Sequence, residues 1–244
     1  MKKIFIPTPL ADTISIPADI THHIIRVFRH DLRKPVLVSG TDNRSGYYMI
    51  SGESDGVAQA TLVEYIEQNK KTCRVVLVQS LLKGDKMELV LQKATELNVD
   101  TIYLVSTANN VVKYDEKKLQ AKVQRWEKIL QEASQQCGRP HLPTLVVDQS
   151  LANVLSIEDS ALLLVAYENE SGRTIKHALQ EYQKRDDTTV LICIGPEGGF
   201  QQKEIDMLVE HGVESITLGS TILRAETAAI SAVAMINYEM ELQI

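Results

Sequence analysis

The run Thr189-Val190-Leu191-Ile192-Cys193-Ile194-Gly195-Pro196-Glu197-Gly198-Gly199-Phe200 decides the fold. Its first half is continuous, apolar and rich in β-branched side chains, the pattern of a strand buried on both faces of a parallel sheet. Its second half is a turn in which Gly195, Gly198 and Gly199 permit positive φ and close approach of a ligand to the backbone. Ligands of open α/β sheets gather outside the carboxyl ends of the strands. Ile194, Gly195, Pro196, Glu197, Gly198 and Gly199 are therefore candidate binding residues, with a tight structural turn as the competing reading. The spacing matches neither the phosphate loop GxxxxGK[ST] nor the dinucleotide fingerprint GxGxxG.

Downstream, the strand-like SITLG at 215–219 leads into a second loop, Leu218-Gly219-Ser220-Thr221-Ile222-Leu223-Arg224-Ala225-Glu226-Thr227. Gly219 allows a sharp turn, and Leu218, Ile222 and Leu223 offer an apolar slot. Arg224 offers a bidentate contact to phosphate or carboxylate, unless it is held in a salt bridge by Glu226 or Glu197. Apolar side chains with backbone polar groups suit adenine and the methionine part of S-adenosylmethionine. Upstream, RVVLVQS (74–80), TIYLV (101–105), LPTLVV (142–147) and ALLLVAY (161–167) read as further strands. Helical stripes alternate with them. Met87, Val90, Leu91, Ala94 and Leu97 form one; Leu119, Val123, Trp126, Leu130 and Ala133 form another. Helices are also expected over 174–183, 202–210 and about 224–240. Residues 73–244 thus read as an α/β domain with a mostly parallel sheet. The last helix is small or apolar nearly all round, which implies burial against another subunit or another chain segment.

Residues 1–70 have a different rhythm. The short β-rich runs IFIP (4–7), KPVLVSG (34–40), GYYMISG (46–52) and VAQATLVEYI (57–66) are separated by Pro, Gly, Asn and Asp. With one short helix over 19–28, they fit a small β-barrel. The polar stretch 67–71 reads as the linker.

The 244 residues suffice for one large domain or two modest ones, and 44% apolar with 24% charged residues is ordinary for a globular chain. No stretch reaches the roughly 18–20 apolar residues that cross a bilayer. Pro7 and Pro9 interrupt the start before any long apolar run, so a cytoplasmic location without a membrane is expected. Cys73, Cys137 and Cys193 are far apart and lack metal-ligand spacing, so reduced thiols and no metal are expected. The net charge of −6 is uneven: residues 1–143 hold 20 Lys and Arg against 16 Asp and Glu, whereas 144–244 hold 6 against 16. The front can face phosphate while the back carries an acidic surface.

Several pieces together resemble the RsmE family of ribosomal RNA uridine N3-methyltransferases, of the SPOUT class. They are His22-His23 with Arg26 and Arg29, Lys83-Gly84-Asp85-Lys86-Met87-Glu88, and Gln92-Lys93-Ala94-Thr95-Glu96-Leu97. Glu132-Ala133-Ser134-Gln135-Gln136-Cys137-Gly138-Arg139 and the two loops complete the set, in family order across nearly the whole chain. The resemblance implies a PUA-like RNA-binding barrel (1–70) before a SPOUT domain (73–244) with a C-terminal trefoil knot, formed where the 218–224 loop and last helix thread beneath the 195–199 loop. It implies a homodimer and S-adenosylmethionine held around Leu164, Val165, Ala166, the 195–199 turn, Leu218, Gly219, Ile222, Leu223 and Arg224. It also implies methylation of N3 of one uridine, uridine 1498, in 16S ribosomal RNA, on the assembled 30S subunit. Three positions depart from the family pattern. Asn109 stands where Arg is common. Gln201 replaces a Ser or Thr that would form a capping box with Glu204, a role for which Gln is ill suited. Asn98 replaces a frequent glycine but tolerates left-handed geometry.

Arg26, Arg29, Arg33 and Lys34 form a compact basic run that either positions RNA or is a solvated helix face. Lys83, Lys86, Lys93 and Arg139 extend the possible track, and His23 is a weaker candidate RNA contact. Arg224 and Glu197 are the candidate catalytic residues, the first to stabilise charge developing on a uracil oxygen, the second to position substrate or cofactor. A ribose- or transfer-RNA-directed SPOUT enzyme and a non-catalytic RNA-binding assembly factor are the alternatives.

Overall fold

The structure, a computed structural model, describes every residue except 1–2, 43, 67–72, 111, 113, 140, 158–160, 183–187 and 242–244. The expected linker 67–71, Val111 and the expected helix end at Gln183 lie outside the described residues. The chain divides into two units, Met1–Lys70 with Ser134–Leu142, and Lys71–Ala133 with Pro143–Ile244.

In the first unit, strands β1 (Lys3–Phe5), β2 (Thr13–Ile16), β3 (Val36–Ser39), β4 (Ser45–Ser54) and β5 (Val57–Tyr65) form a curled sheet in the order β1-β3-β4-β5-β2. This curled half-barrel is the form taken by the expected small barrel. Strand β2 was not anticipated: Thr13-Ile14-Ser15-Ile16 is short and half polar, yet it alternates exposed and buried side chains as a one-faced strand must. The expected helix over 19–28 is in fact an α-helical turn α1 (Ala18–His22) running into a π-helical turn (His23–Val27). The widened coil still places Ile24 in the core with Ile16, Val36, Val38 and Tyr48. Tyr48 is fully buried, and its hydroxyl donates to the Ala11 carbonyl at 2.7 Å, so no polar group is stranded there.

The second unit alternates β6 (Cys73–Ser80), α2 (Asp85–Glu96), β7 (Thr101–Val105), α3 (Glu116–Cys137), β8 (Thr144–Gln149), α4 (Leu151–Ile157) and β9 (Leu162–Ala166). It continues through α5 (Ile175–Tyr182), β10 (Thr188–Ile194), α6 (Gln202–Glu210), β11 (Glu214–Ile216) and α7 (Ala225–Glu241). The sheet order is β11-β9-β10-β6-β7-β8, and its pairings are all parallel. Side chains alternate between two cores, as period-2 geometry requires. Val75, Leu77, Ile192 and Ile194 face α2, α3 and α7; Val76, Val78, Leu191 and Cys193 face α4 and α6. Helix α4 had not been read from the sequence. Helix α7 resolves the puzzle of its own apolarity: Ala229, Ala232, Val233 and Ile236 are buried where it packs on β6, β10, α2 and α5. Met235 and Tyr238 on the same helix remain exposed.

The order of strands places the site. From β6 the chain runs outward through β7 and β8, whereas β9 and β10 lie on its other side, so the strand order reverses between β6 and β10, and β10 leads its loop to the carboxyl edge beside β9. Helix α2, which leaves β6 at that level, is terminated by Asn98 in left-handed geometry (φ 61°). Asn98 N–H donates to Thr95 O at 3.1 Å and Val99 N–H to Ala94 O at 3.0 Å, the paired bonds of a Schellman cap. Asn98→Gly is expected to leave stability nearly unchanged. Asn98→Val is expected to cost about 1–2 kcal/mol by forcing a β-branched residue into that region, read as a shift in the midpoint of denaturant unfolding; equal midpoints would refute the cap.

Candidate functional site

The loops after β9, β10 and β11 converge on a cavity of about 980 Å³ at the carboxyl edge of the parallel sheet, at the large end of the range for small-molecule sites. Of the residues singled out in sequence, Ala166, Ile194, Gly195, Pro196, Glu197, Gly198, Gly199, Leu218, Gly219, Ile222, Leu223 and Arg224 line it. Leu164 and Val165 do not. They lie one residue pair deeper in β9 and are fully buried in the opposite hydrophobic clusters, where strand alternation sends them. Tyr167, Glu168 and Thr217 line the cavity and were missed. The signal available was the strand-end rule itself, which applies to the residues after β9 rather than within it.

Of the three glycines in the turn after β10, Gly199 takes positive φ, whereas Gly195 and Gly198 do not. Gly199 has φ 66°, a conformation that side-chain-bearing residues rarely adopt, and a Cβ there would lie 2.5 Å from Oε1 of Glu168, so the Glu168 carboxylate would have to move. Gly199 N–H donates to Pro196 O at 3.0 Å and closes the turn. Opposite it, Ile222 is 81% exposed. With Leu218 and Leu223 it gives the cavity an apolar wall.

Glu197 is tied down rather than free. Its Oε1 accepts from Lys83 N–H at 3.1 Å and from Lys86 Nζ at 3.2 Å. Partial burial pushes the carboxyl up, but peptide N–H donors and the Lys86 ammonium outweigh it and hold it below the usual range. It links the loop after β6 to the loop after β10, so among the described residues it forms no ion pair with Arg224. Arg224 is exposed at the cavity, at the start of α7.

The start of α6 shows what Gln201 does in place of a Ser or Thr cap. Gln201 stands at the N-cap in extended geometry, and Glu204 Oε2 accepts its N–H at 2.8 Å, so Glu204 supplies its half of the box while Glu204 N–H donates to the Gln201 backbone carbonyl at 2.9 Å. The Gln201 carboxamide donates to Asn109 Oδ1 at 3.2 Å.

The cations are placed unequally. His23, Arg26, Arg29 and Lys34 are exposed in the first unit, where Arg33 is paired with Asp31 at 3.0 Å. Arg139, in the same unit, is only 8% exposed. In the second unit Lys83 is exposed, Lys86 is held by Glu197, and Lys93 is bound within α2 to Glu96 at 2.8 Å.

The RNA methyltransferase domain family matches residues 69–237. The ribosomal RNA small subunit methyltransferase E of Bacillus subtilis is 31% identical over 236 residues, 95% of this chain and 92% of its own. The chain belongs to the ribosomal RNA small subunit methyltransferase E family. It is thus an RNA methyltransferase of the SPOUT class. A methyltransferase E structure from Neisseria gonorrhoeae, bound to S-adenosyl methionine, shares the fold at 23% identity, covering 98% and 97% of the two chains with TM-score 0.83. A Legionella pneumophila methyltransferase in complex with the same cofactor is 28% identical, covers 97% and 96%, and superposes with TM-score 0.80.

Glu197→Gln is expected to lower thermal stability at neutral pH. A depressed folded-state carboxyl contributes above the ordinary carboxylate range and loses that contribution as pH falls through its folded value. The gap between wild type and variant should therefore close on acidification. A gap that persists unchanged at low pH would show that Glu197 does not act through its charge.

Proposed function

We propose that this chain transfers a methyl group from S-adenosylmethionine to N3 of a single uridine, uridine 1498, in 16S ribosomal RNA of the 30S subunit. The observation that carries the reading is that one cavity is lined both by the glycine turn, with Gly199 at positive φ, and by the bare Ile222 of the loop after β11. Backbone polar groups on one side and an aliphatic face on the other suit a ligand that is part flat heterocycle, part amino acid. Gly195, Gly198, Gly199, Leu218, Ile222 and Leu223 would hold it. When bound, S-adenosylmethionine supplies a methyl group already activated by its sulfonium.

The chain's own residues have three tasks. They must hold N3 in line with the donor at near-attack distance. They must accommodate a base drawn out of its pairing, because N3 lies on the pairing edge. They must also stabilise the negative charge that grows on a uracil oxygen as the N3 proton leaves. Arg224, exposed at the cavity and without a carboxylate partner among the described residues, is assigned the third task. Glu197 is assigned positioning, since its carboxylate already accepts from Lys83 and Lys86.

The first unit is read as a PUA-like RNA-binding module presenting His23, Arg26, Arg29, Arg33 and Lys34 to phosphate, and the second as a knotted SPOUT domain. Lys83 is assigned to RNA near the site. In this reading the chain works in the cytoplasm as a homodimer, for which the exposed Met235 and Tyr238, one turn apart on α7, provide an apolar patch.

Methylation of small subunits lacking the mark, followed by nucleoside digestion and site mapping, tests the reading. N3-methyluridine at one position is expected; ribose methylation or no product would overturn it. Arg224→Ala should lower kcat at least tenfold, with cofactor affinity changed less, and unaltered turnover would remove it from the chemistry. Reversal of Arg26 and Arg29 to Glu should weaken RNA binding most at low salt. Binding with an unchanged salt slope would move the RNA track elsewhere.

A further inference from the structure

The turn after β10 is held from a neighbouring loop. Residues 107–110, just beyond β7, form a turn closed by Asn110 N–H donating to Thr107 O at 3.1 Å. That turn presents Asn109, whose Nδ2 donates to two successive carbonyls of the glycine turn, Gly198 O at 3.0 Å and Gly199 O at 3.1 Å. Its Oδ1 in turn accepts from Gln201 Nε2 at 3.2 Å. The neighbouring Ala108 N–H donates to Glu204 Oε1 at 2.9 Å, while Glu204 Oε2 holds Gln201 N–H. The contact is also steric, because a Cβ on Gly198 would lie 3.2 Å from Asn109 Cβ. The Asn109 carboxamide thus has both ends in use, and its orientation is fixed by chemistry: two carbonyl acceptors face the NH2, and an amide donor faces the oxygen.

We infer that Asn109 is a positioning residue for cofactor binding, holding the 195–199 turn in its binding geometry while Gln201 holds Asn109. The inference rests on the reading that this turn lines the cofactor cavity. The physical argument is one of preorganisation. Two adjacent glycines are the costliest residues to order, and a turn ordered only by the ligand takes that cost out of affinity. Pinning both carbonyls fixes the two peptide planes beforehand. From the far side, Gln79 at the end of β6 brings its Nε2 within 3.5 Å of Gly195 O, so side-chain amides flank the turn at both ends. Asn109 touches neither donor nor RNA in this assignment; it acts through Gly198 and Gly199. Asp is a severe replacement for its size, since it keeps the acceptor for Gln201 but turns a carboxylate oxygen towards two carbonyl oxygens. Ala removes the brace without adding repulsion.

The test measures S-adenosylmethionine affinity by calorimetry and steady-state kinetics with RNA substrate for wild type, Asn109→Ala, Asn109→Asp and Gln201→Ala. Loss of two neutral hydrogen bonds should weaken cofactor binding about tenfold in Asn109→Ala, and more in Asn109→Asp. The rise should appear in KM for the cofactor, with kcat at saturating cofactor within about threefold and RNA affinity unchanged. Gln201→Ala should weaken binding less than Asn109→Ala and add nothing in the Asn109→Ala background, because its effect runs through Asn109. If Asn109→Asp does not fold, the Ala and Gln201 variants decide the matter. Cofactor affinity within twofold of wild type in both Asn109→Ala and Gln201→Ala overturns the inference. So does a fall in kcat or RNA binding at unchanged cofactor KM, which would place Asn109 on the RNA. Gly199→Val, run in parallel, separates the two claims. If it abolishes cofactor binding while the Asn109 variants bind normally, the brace fails and the site stands; if it binds normally, the site itself is misplaced.

Discussion

Because β10 pairs with β6 in unbroken parallel register from Thr188 opposite Cys73 to Ile194 opposite Gln79, both strands end at one level and their loops leave the sheet side by side. The rest of the site follows from that alignment. The loop after β6 supplies the Lys83 N–H and Lys86 ammonium that hold Glu197 of the loop after β10. The loop after β7, one strand further on, reaches across to the same turn through Asn109. On the other side, β9 and β11 bring Ala166 and Leu218 to the same edge. Parallel strands are bound by evenly spaced hydrogen bonds and buried on both faces. The loops therefore share one buried platform and differ in the side chains that tie them.

What could be read from sequence was what periodicity encodes. Strands β6, β7, β9 and β10 are apolar and β-branched, and each appears where its run stands, whereas β11 keeps only Glu214–Ile216 of the expected 215–219 run. The glycine turn was legible because positive φ and missing side chains leave a direct mark in composition. The failures have a physical pattern too. Strand β2 is four residues, half of them polar, and helix α4 is a short apolar turn, both below the length at which a period can be counted. Leu164 and Val165 were placed at the site because a strand's last residues were read as its exit, although the exposed rim begins one residue later. Asn109 and Gln201 each looked like a loss when taken alone. Their partnership is a contact across 92 positions of sequence, which no local reading contains.

Charge followed a similar division. Counting lysines and arginines located a basic front half, but the structure shows that many of these cations are spoken for. Arg33, Lys86 and Lys93 each sit with a carboxylate, and Arg139 is buried. Exposed ion pairs contribute little to stability; Arg33 keeps its side chain in solvent despite Asp31, and Arg26, Arg29, Lys34 and Lys83 are exposed with no carboxylate partner among the described residues.

The first compact unit is not a contiguous piece of chain, since Met1–Lys70 is joined by Ser134–Leu142, and helix α3 begins in one unit and ends in the other. During synthesis, when domains commonly fold as they emerge, the five strands of the amino-terminal sheet are complete by Tyr65, but the unit's last segment arrives only when residue 142 has been made. By then β6, α2 and β7 already exist. An excision at residue 70 would therefore yield an incomplete body, and the order in which the two halves mature is interleaved by the path of the chain itself.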